Sequence, residues 1–254
     1  MKEKIIGVDE IGKIEPFKQL VSVAVYKDPM AENTLKTGDS KALSLSKKLE
    51  LGENLTDFSN FDEIENRVYI NEKYGLVYAI RILSNEEYNS WKEKKINANA
   101  VLSYIHNETI KMVYDKVKEL GKDIDKIVVD DFIHQGDNEE RVKRFGKYLE
   151  CFDDTTVRVN EIHDVEMIME EKSEDKFPET VGAASDIGIY IDQLWQKKVI
   201  DQFQQIDIDF SQNECFGNGG KIKDLMEQII QKCGDLDASP ITMKHTSYYE
   251  NAKK

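Results

Sequence analysis

The 254-residue chain is poor in cysteine, in positive charge and in long apolar runs, and each shortage excludes something. Its three cysteines, Cys151, Cys215 and Cys233, are far apart and form no C-x-x-C pair, so neither a disulfide framework nor a zinc site is expected. They read as buried or idle thiols. The apolar run Leu20 to Tyr26 is far too short to cross a bilayer, and Met1 leads almost directly into a strand pattern without signal-peptide architecture. A cytoplasmic protein without membrane contact is the expectation. No internal repeat, low-complexity tract or Pro- or Ser-rich linker divides the chain, so residues 1–254 read as a single domain. Lys and Arg number 35 against 49 Asp and Glu, a formal charge of −14. Such a chain does not bind DNA or RNA indiscriminately, because phosphate contacts need clustered cations. A local basic strip of Lys41, Lys47 and Lys48 keeps a nucleic-acid ligand open.

What is present is the composition of an ordinary soluble globular protein, 40% hydrophobic and 33% charged. Ile- and Val-rich stretches at Lys4–Asp9 and Leu20–Tyr26 flank a turn with Gly and Pro and read as a hairpin. Gly75–Leu83 alternates as a third strand. From Ala98 to Leu120, apolar residues recur at helical spacing until Gly121 supplies a stop. The run Ile127, Val128, Val129 that follows, bounded by charges, reads as a buried strand reached through that crossover helix. A charged helix over Asn138–Leu149, a strand over Thr156–Val159 and helices over Val181–Ile200 and Ile222–Lys232 complete the pattern. The sum is an α/β protein, with a mixed five-stranded sheet flanked by helices in residues 1–195 and a helical C-terminal part in residues 196–254.

Asp9 and Glu10 end the first strand. Adjacent strand residues point to opposite faces, so both can serve one site only at a strand end or a bend. Asp130 ends the Ile127–Val129 run, and a strand beside the first would bring it next to Asp9. Buried carboxylates without partners are costly, and a hard cation with oxygen ligands, Mg²⁺ or Mn²⁺, is the usual remedy. The plainer reading, solvated acids at strand ends, is the default for a lone pair.

Order along the chain weighs against that default. G-V-D-E-I-G, D-S-K-A-L-S, V-V-D-D-F and K-S-E-D-K-F-P with a later A-A-S follow one another as in the type 2 ribonucleases H, which the chain resembles from Lys4 to about Lys254. I-N-A-N-A-V-L-S-Y-I-H-N at Ile96–Asn107 and L-S-N-E-E-Y-N at Leu83–Asn89 look like the ribonuclease HIII branch. The resemblance implies a ribonuclease H fold and four acidic ligands, Asp9, Glu10, Asp130 and Glu174, for two divalent cations. Glu171 and Asp175 stand close enough to Glu174 to replace it. It further implies hydrolysis of the RNA strand of RNA/DNA hybrids, giving 5′-phosphate ends. Asp39, Ser40 and Lys41 would contact substrate phosphate, unless they form a capped turn before a helix starting near Leu45. Lys13 would keep a basic group near the substrate. Asn97, Asn99, His106 and Asn107 would read the minor groove and its 2′-hydroxyls, against the alternatives of a helix-capping Asn97 and a core-edge His106. His134, His163 and His245 fall in no motif and receive no role.

The chain also departs from that pattern. Ile14, Lys18 and Gln19 stand where the family has a second glycine and a Gly-Pro, so substrate contact through this loop is expected to be weakened or changed. Asp186 replaces an apolar residue, and Ile189 stands near a place that is usually basic. The small N-terminal substrate-binding domain ordinary in ribonuclease HIII is expected to be missing. The protein is expected to be a monomer, and two other classes stay open: a non-catalytic module of this fold bound to a protein partner through its acidic surface, and a nuclease with another substrate.

Overall fold

The computed structural model describes residues 3–13, 15–33, 44–152, 165–210, 221–245 and 249. Its strands are β1 (Ile5–Ile11), β2 (Leu20–Lys27), β3 (Val68–Asn71), β4 (Leu76–Leu83), β5 (Lys126–Asp130) and β6 (Glu166–Glu170). They form one mixed sheet in the order β3-β4-β2-β1-β5-β6. β1 runs antiparallel to β2 and parallel to β5, and β5 is parallel to β6.

Alternation along the central strands decides how the layers assemble. Ile6 and Val8 of β1, with Leu20, Ala24 and Tyr26 of β2, face α3 (Ala98–Glu119), whose Val101, Ile105, Ile110, Val113 and Val117 fill one core. Val21, Val23 and Val25 face the other way, onto Ala183, Ala184, Ile187, Ile191 and Leu194 of α6 (Ala183–Gln204). The remaining helices are α1 (Leu45–Thr56), α2 (Asn85–Glu93), α4 (Asn138–Leu149), the single turn α5 (Ser173–Lys176) and α7 (Lys221–Cys233). Asn97 caps α3 by accepting from the Ala100 amide at 2.8 Å, and Asp137 caps α4 by accepting from Glu140 at 3.0 Å. A third core gathers Phe17, Trp195, Val199, Phe203 and Phe210 with Leu225 and Ile229 of α7. Because α6 runs from the sheet into this third core, the C-terminal part shares a helix with the rest.

The mixed sheet with helices on both faces is as expected; among the described residues it has six strands, of which β1, β2, β4 and β5 were expected. β3 and β6 are the additions, four and five residues long at the two edges. Ile70 of β3 is 49% exposed, and β6 reads E-M-I-M-E, so neither shows a clean apolar alternation. Thr156–Val159 lies outside the described residues, as do Asp39, Ser40, Lys41, Ile14 and His163. Cys151 is exposed and Cys233 half-buried, both as free thiols. Among the described residues no helix is long and apolar enough to cross a membrane.

Where α6 packs on α1, Asp186 is 1% exposed and its Oδ1 accepts no hydrogen bond. Burial pushes its carboxyl up to about 7, and the charge of Lys48 only partly opposes this. A raised pKa means that the folded state keeps a proton which the unfolded chain releases above about pH 4. The stability tied to this proton is present at low pH and lost as pH rises towards 7. Asp186→Asn is accordingly expected to stabilise the protein by roughly 1–3 kcal/mol at pH 8 and hardly at all at pH 4, read as urea midpoints at the two pH values.

Candidate active site

Parallel pairing of β1 with β5 ends at Val8 opposite Val129, so Asp9 and Asp130 come side by side just past it, while β1 itself continues beside β2 to Ile11. β1 reaches that point with Gly7 pressed against the turn Pro178–Gly182, where a Cβ would stand 2.3 Å from the Val181 nitrogen. That close approach seats the start of α6 over β1, and the Ser185 hydroxyl donates to Asp9. Glu10 points to the other face. There Nε2 of His106, a residue of α3 with 0% exposure, lies 3.1 Å from the Glu10 carboxylate. Nδ1 of the same ring is 2.7 Å from the Ser22 hydroxyl, which in turn is 3.0 Å from Thr109. The two adjacent carboxylates are thus held from opposite sides of the sheet.

Asp130 accepts from both the amide and the hydroxyl of Ser173, at 3.1 and 2.9 Å. Those bonds place the single turn α5, and with it Glu174, against the end of β5. Glu174 is 8% exposed, whereas Glu171 and Asp175 are exposed. Burial pushes the Asp9 carboxyl well above the usual carboxylate range, and the charges of Glu10 and Asp130 add to the shift. Bonds from Ser185 and the Glu10 amide pull part of it back. Asp130 is raised as well, first by burial and then by Glu174 and Glu10, against the Ser173 bonds. Four carboxylates therefore feel one another at one strand edge, and Asp9 and Asp130 accept their bonds from neutral donors. An all-oxygen donor set of four carboxylates fits a hard divalent cation.

Beside it a cavity of about 350 Å³ is lined by Asp130, Asp131, His134, Glu171, Lys172 and Glu174. Asp131, His134 and Glu171 also bring ligand-type atoms within 4.8 Å of one another. Asp131 is already engaged, however, by Arg141 at 3.1 Å and by the Ile133 and His134 amides, and it holds His134 at a φ of +56°. The charge of this carboxylate is spent inside the protein.

The other expected contacts are dispersed. His106 lies beneath Glu10 rather than on the groove surface, because both its ring nitrogens are engaged inside the core, and Asn107 is fully buried. Asn97 caps α3 at its N-terminal end, about 13 Å along the axis from His106, with Asn99 in the first turn. Lys13 Nζ stands 5.7 Å over the Phe132 ring, and Lys18 is tied to Asp192 at 3.0 Å. The supports missed from the sequence are Ser22, Thr109, Ser173 and Ser185. Ser173 and Ser185 stand inside the K-S-E-D and A-A-S stretches, and the His106–Thr109 spacing on one helical face hinted at Thr109.

The mixed sheet, with acidic residues at the ends of adjacent parallel strands, has the ribonuclease H fold. The profile for Ribonuclease HII matches residues 6–191, and the chain belongs to that family. Its curated relatives carry the name ribonuclease HIII. The Staphylococcus aureus (strain MW2) protein is 24% identical over 98% of this chain and 67% of its own length, and the Staphylococcus saprophyticus protein is 30% identical over 52% of this chain and 37% of its own length. Among solved structures, a mutant protein of Bst-RNase HIII superposes with a TM-score of 0.71 at 19% identity, covering 99% of this chain and 69% of that one. RNase HII in the PCNA:RNase HII complex from Archaeoglobus fulgidus gives 0.63 at 17% identity, over 98% and 97%.

The crowding of the carboxylates is measurable without any substrate. Asp130→Asn keeps an oxygen for Ser173 and removes one repelling charge, so in EDTA at pH 8 it should raise the unfolding free energy by roughly 1 kcal/mol. Equal or lower stability would show that these charges do not repel one another appreciably.

Proposed function

We propose that the protein hydrolyses the RNA strand of RNA/DNA hybrids, with Asp9, Glu10, Asp130 and Glu174 as ligands of two divalent cations, Mg²⁺ or Mn²⁺. The observation that carries this reading is the convergence of four carboxylates, two of them held above their usual range by burial and mutual repulsion. A solved relative, Bst-RNase HIII, has been crystallised in complex with Mn²⁺, which supports the choice of metal class. Bound there, a cation pair would supply an activated water on one side of the scissile phosphate and charge stabilisation for the leaving 3′ oxygen on the other. The chain's own residues orient these groups. His106 fixes the rotamer of Glu10, Ser185 that of Asp9, and Ser173 that of Asp130 while docking Glu174. Lys13, together with the Asp39–Lys41 motif and Asn97 and Asn99, would meet the substrate backbone and groove.

One observation favours a substrate contact that differs from the family's. Lys18 is locked to Asp192 instead of leaving space for a backbone approach, so the loop after Gly12 presents a different surface to the strand. Labelled RNA/DNA hybrid incubated with Mn²⁺ should yield 5′-phosphate fragments, and Asp9→Asn should abolish them. His106→Ala should slow cleavage or weaken Mn²⁺ binding by roughly 10–100-fold, as loss of a ligand's supporting partner does. Cleavage by Asp9→Asn at the wild-type rate would refute the assignment.

A further inference from the structure

The loop Gly12–Gln19 follows the acidic pair directly, and its fixed points come from the other end of the chain. Gly12 has a φ of +81°, and a Cβ there would stand 1.9 Å from the Gln19 carbonyl oxygen, so the two ends of the loop touch at this residue. The Gly12 carbonyl accepts from Nζ of Lys244. Lys244 is 0% exposed, and its backbone amide donates to the Pro16 carbonyl at 2.8 Å. Trp195 Nε1 donates to the Phe17 carbonyl at 2.7 Å, and the Phe17 ring is fully buried in the third core.

The segment bearing Lys244 is clamped in its turn. Asn85 and Asn89, one turn apart on α2, donate to the carbonyls of Thr242 and Met243 at 2.8 Å each. Asn89 accepts from the His245 amide at 2.7 Å, and Lys92 donates to the His245 carbonyl. The asparagines of the L-S-N-E-E-Y-N stretch thus hold the C-terminal segment rather than a substrate. Burying an ammonium is expensive, and an apolar side chain would fill the same volume without that cost. Burial pulls the Lys244 ammonium down to about 7, although Glu15 and Asp192 favour its charge and only Lys18 joins burial in opposing it. The Tyr88 ring completes its surroundings at 5.7 Å. The retained cost points to use of its hydrogen bond.

We infer that Lys244 is a positioning residue, which fixes the Gly12 carbonyl and so sets the backbone of the Gly12–Gln19 loop against which the hybrid strand is held. The inference rests on the proposed hybrid nuclease activity for its substrate, but not for the strut itself. In this chain, where Lys18 and Gln19 stand in place of a Gly-Pro, the described residues of the loop are tied from outside by Lys244, Trp195 and Asp192.

The test uses the full chain and the variant Lys244→Met. Amide exchange of residues 12–19 should speed up about tenfold while that of β1 and β5 stays unchanged, because only a local anchor is lost. KM for an RNA/DNA hybrid with Mn²⁺ should rise about tenfold with kcat within about threefold, the size expected for one charged hydrogen bond. Affinity for Mn²⁺ alone should not change. Unaltered exchange in the loop, or an equal fall in kcat and kcat/KM without a rise in KM, would overturn the inference. Should Lys244→Met fail to fold, Asn89→Ala, which keeps the ammonium and loosens its segment, is read by the same exchange criterion. A wild-type protein that does not cleave hybrids would refute the proposed function, while the exchange result would still decide the strut.

Discussion

Like charges forced together at the ends of β1 and β5 are the constraint around which the rest of this structure is arranged. A parallel pair of strands can deliver two carboxylates to one edge, but at close range they repel, and burial removes the water that would screen them. The protein answers with hydrogen-bond partners. Ser185 reaches Asp9 from α6, Ser173 reaches Asp130 from α5, and His106 reaches Glu10 from α3. Asp9 and Asp130 stay above the usual carboxylate range despite these bonds, which is what favours a cation at the proposed site. Stability is given up locally for that purpose, as is common at functional sites.

The same constraint explains why both faces of the sheet carry a long helix. Asp9 and Glu10 are neighbours in sequence and therefore point apart, and each needs a support on its own side. The contact of Gly7 with Val181 brings α6 close enough for Ser185, and the place of Ser22 in β2 lets His106 bond downward to it and upward to Glu10. The first three carboxylates are thus set by the core itself. Glu174 depends on a four-residue turn, and the loop beyond Gly12 depends on the C-terminal segment.

The sequence made the central fold readable where apolar spacing is strong. β1, β2, β4, β5, α3 and α4 lie within a residue or two of their expected bounds, since each buries a regular stripe. β3 and β6 escaped because edge strands of four or five residues, half exposed and flanked by charge, carry no such stripe. Helix α2 escaped too, for its buried positions are Asn85 and Asn89, which satisfy backbone carbonyls instead of filling a core. At the site, Asp9, Glu10 and Asp130 were legible as strand ends, whereas Glu174 came only through the family resemblance. Ser22 under His106, and Lys244 under Gly12, join residues 84 and 232 positions apart, a pairing that local pattern cannot encode.

The crowded edge of β1 and β5 is the proposed metal centre. An anomalous difference map from crystals soaked in Mn²⁺ locates the ion directly. Peaks bounded by the carboxylates of Asp9, Glu10, Asp130 and Glu174 are the predicted result. A map with no peak there, and one instead on Asp131, His134 and Glu171, would contradict it.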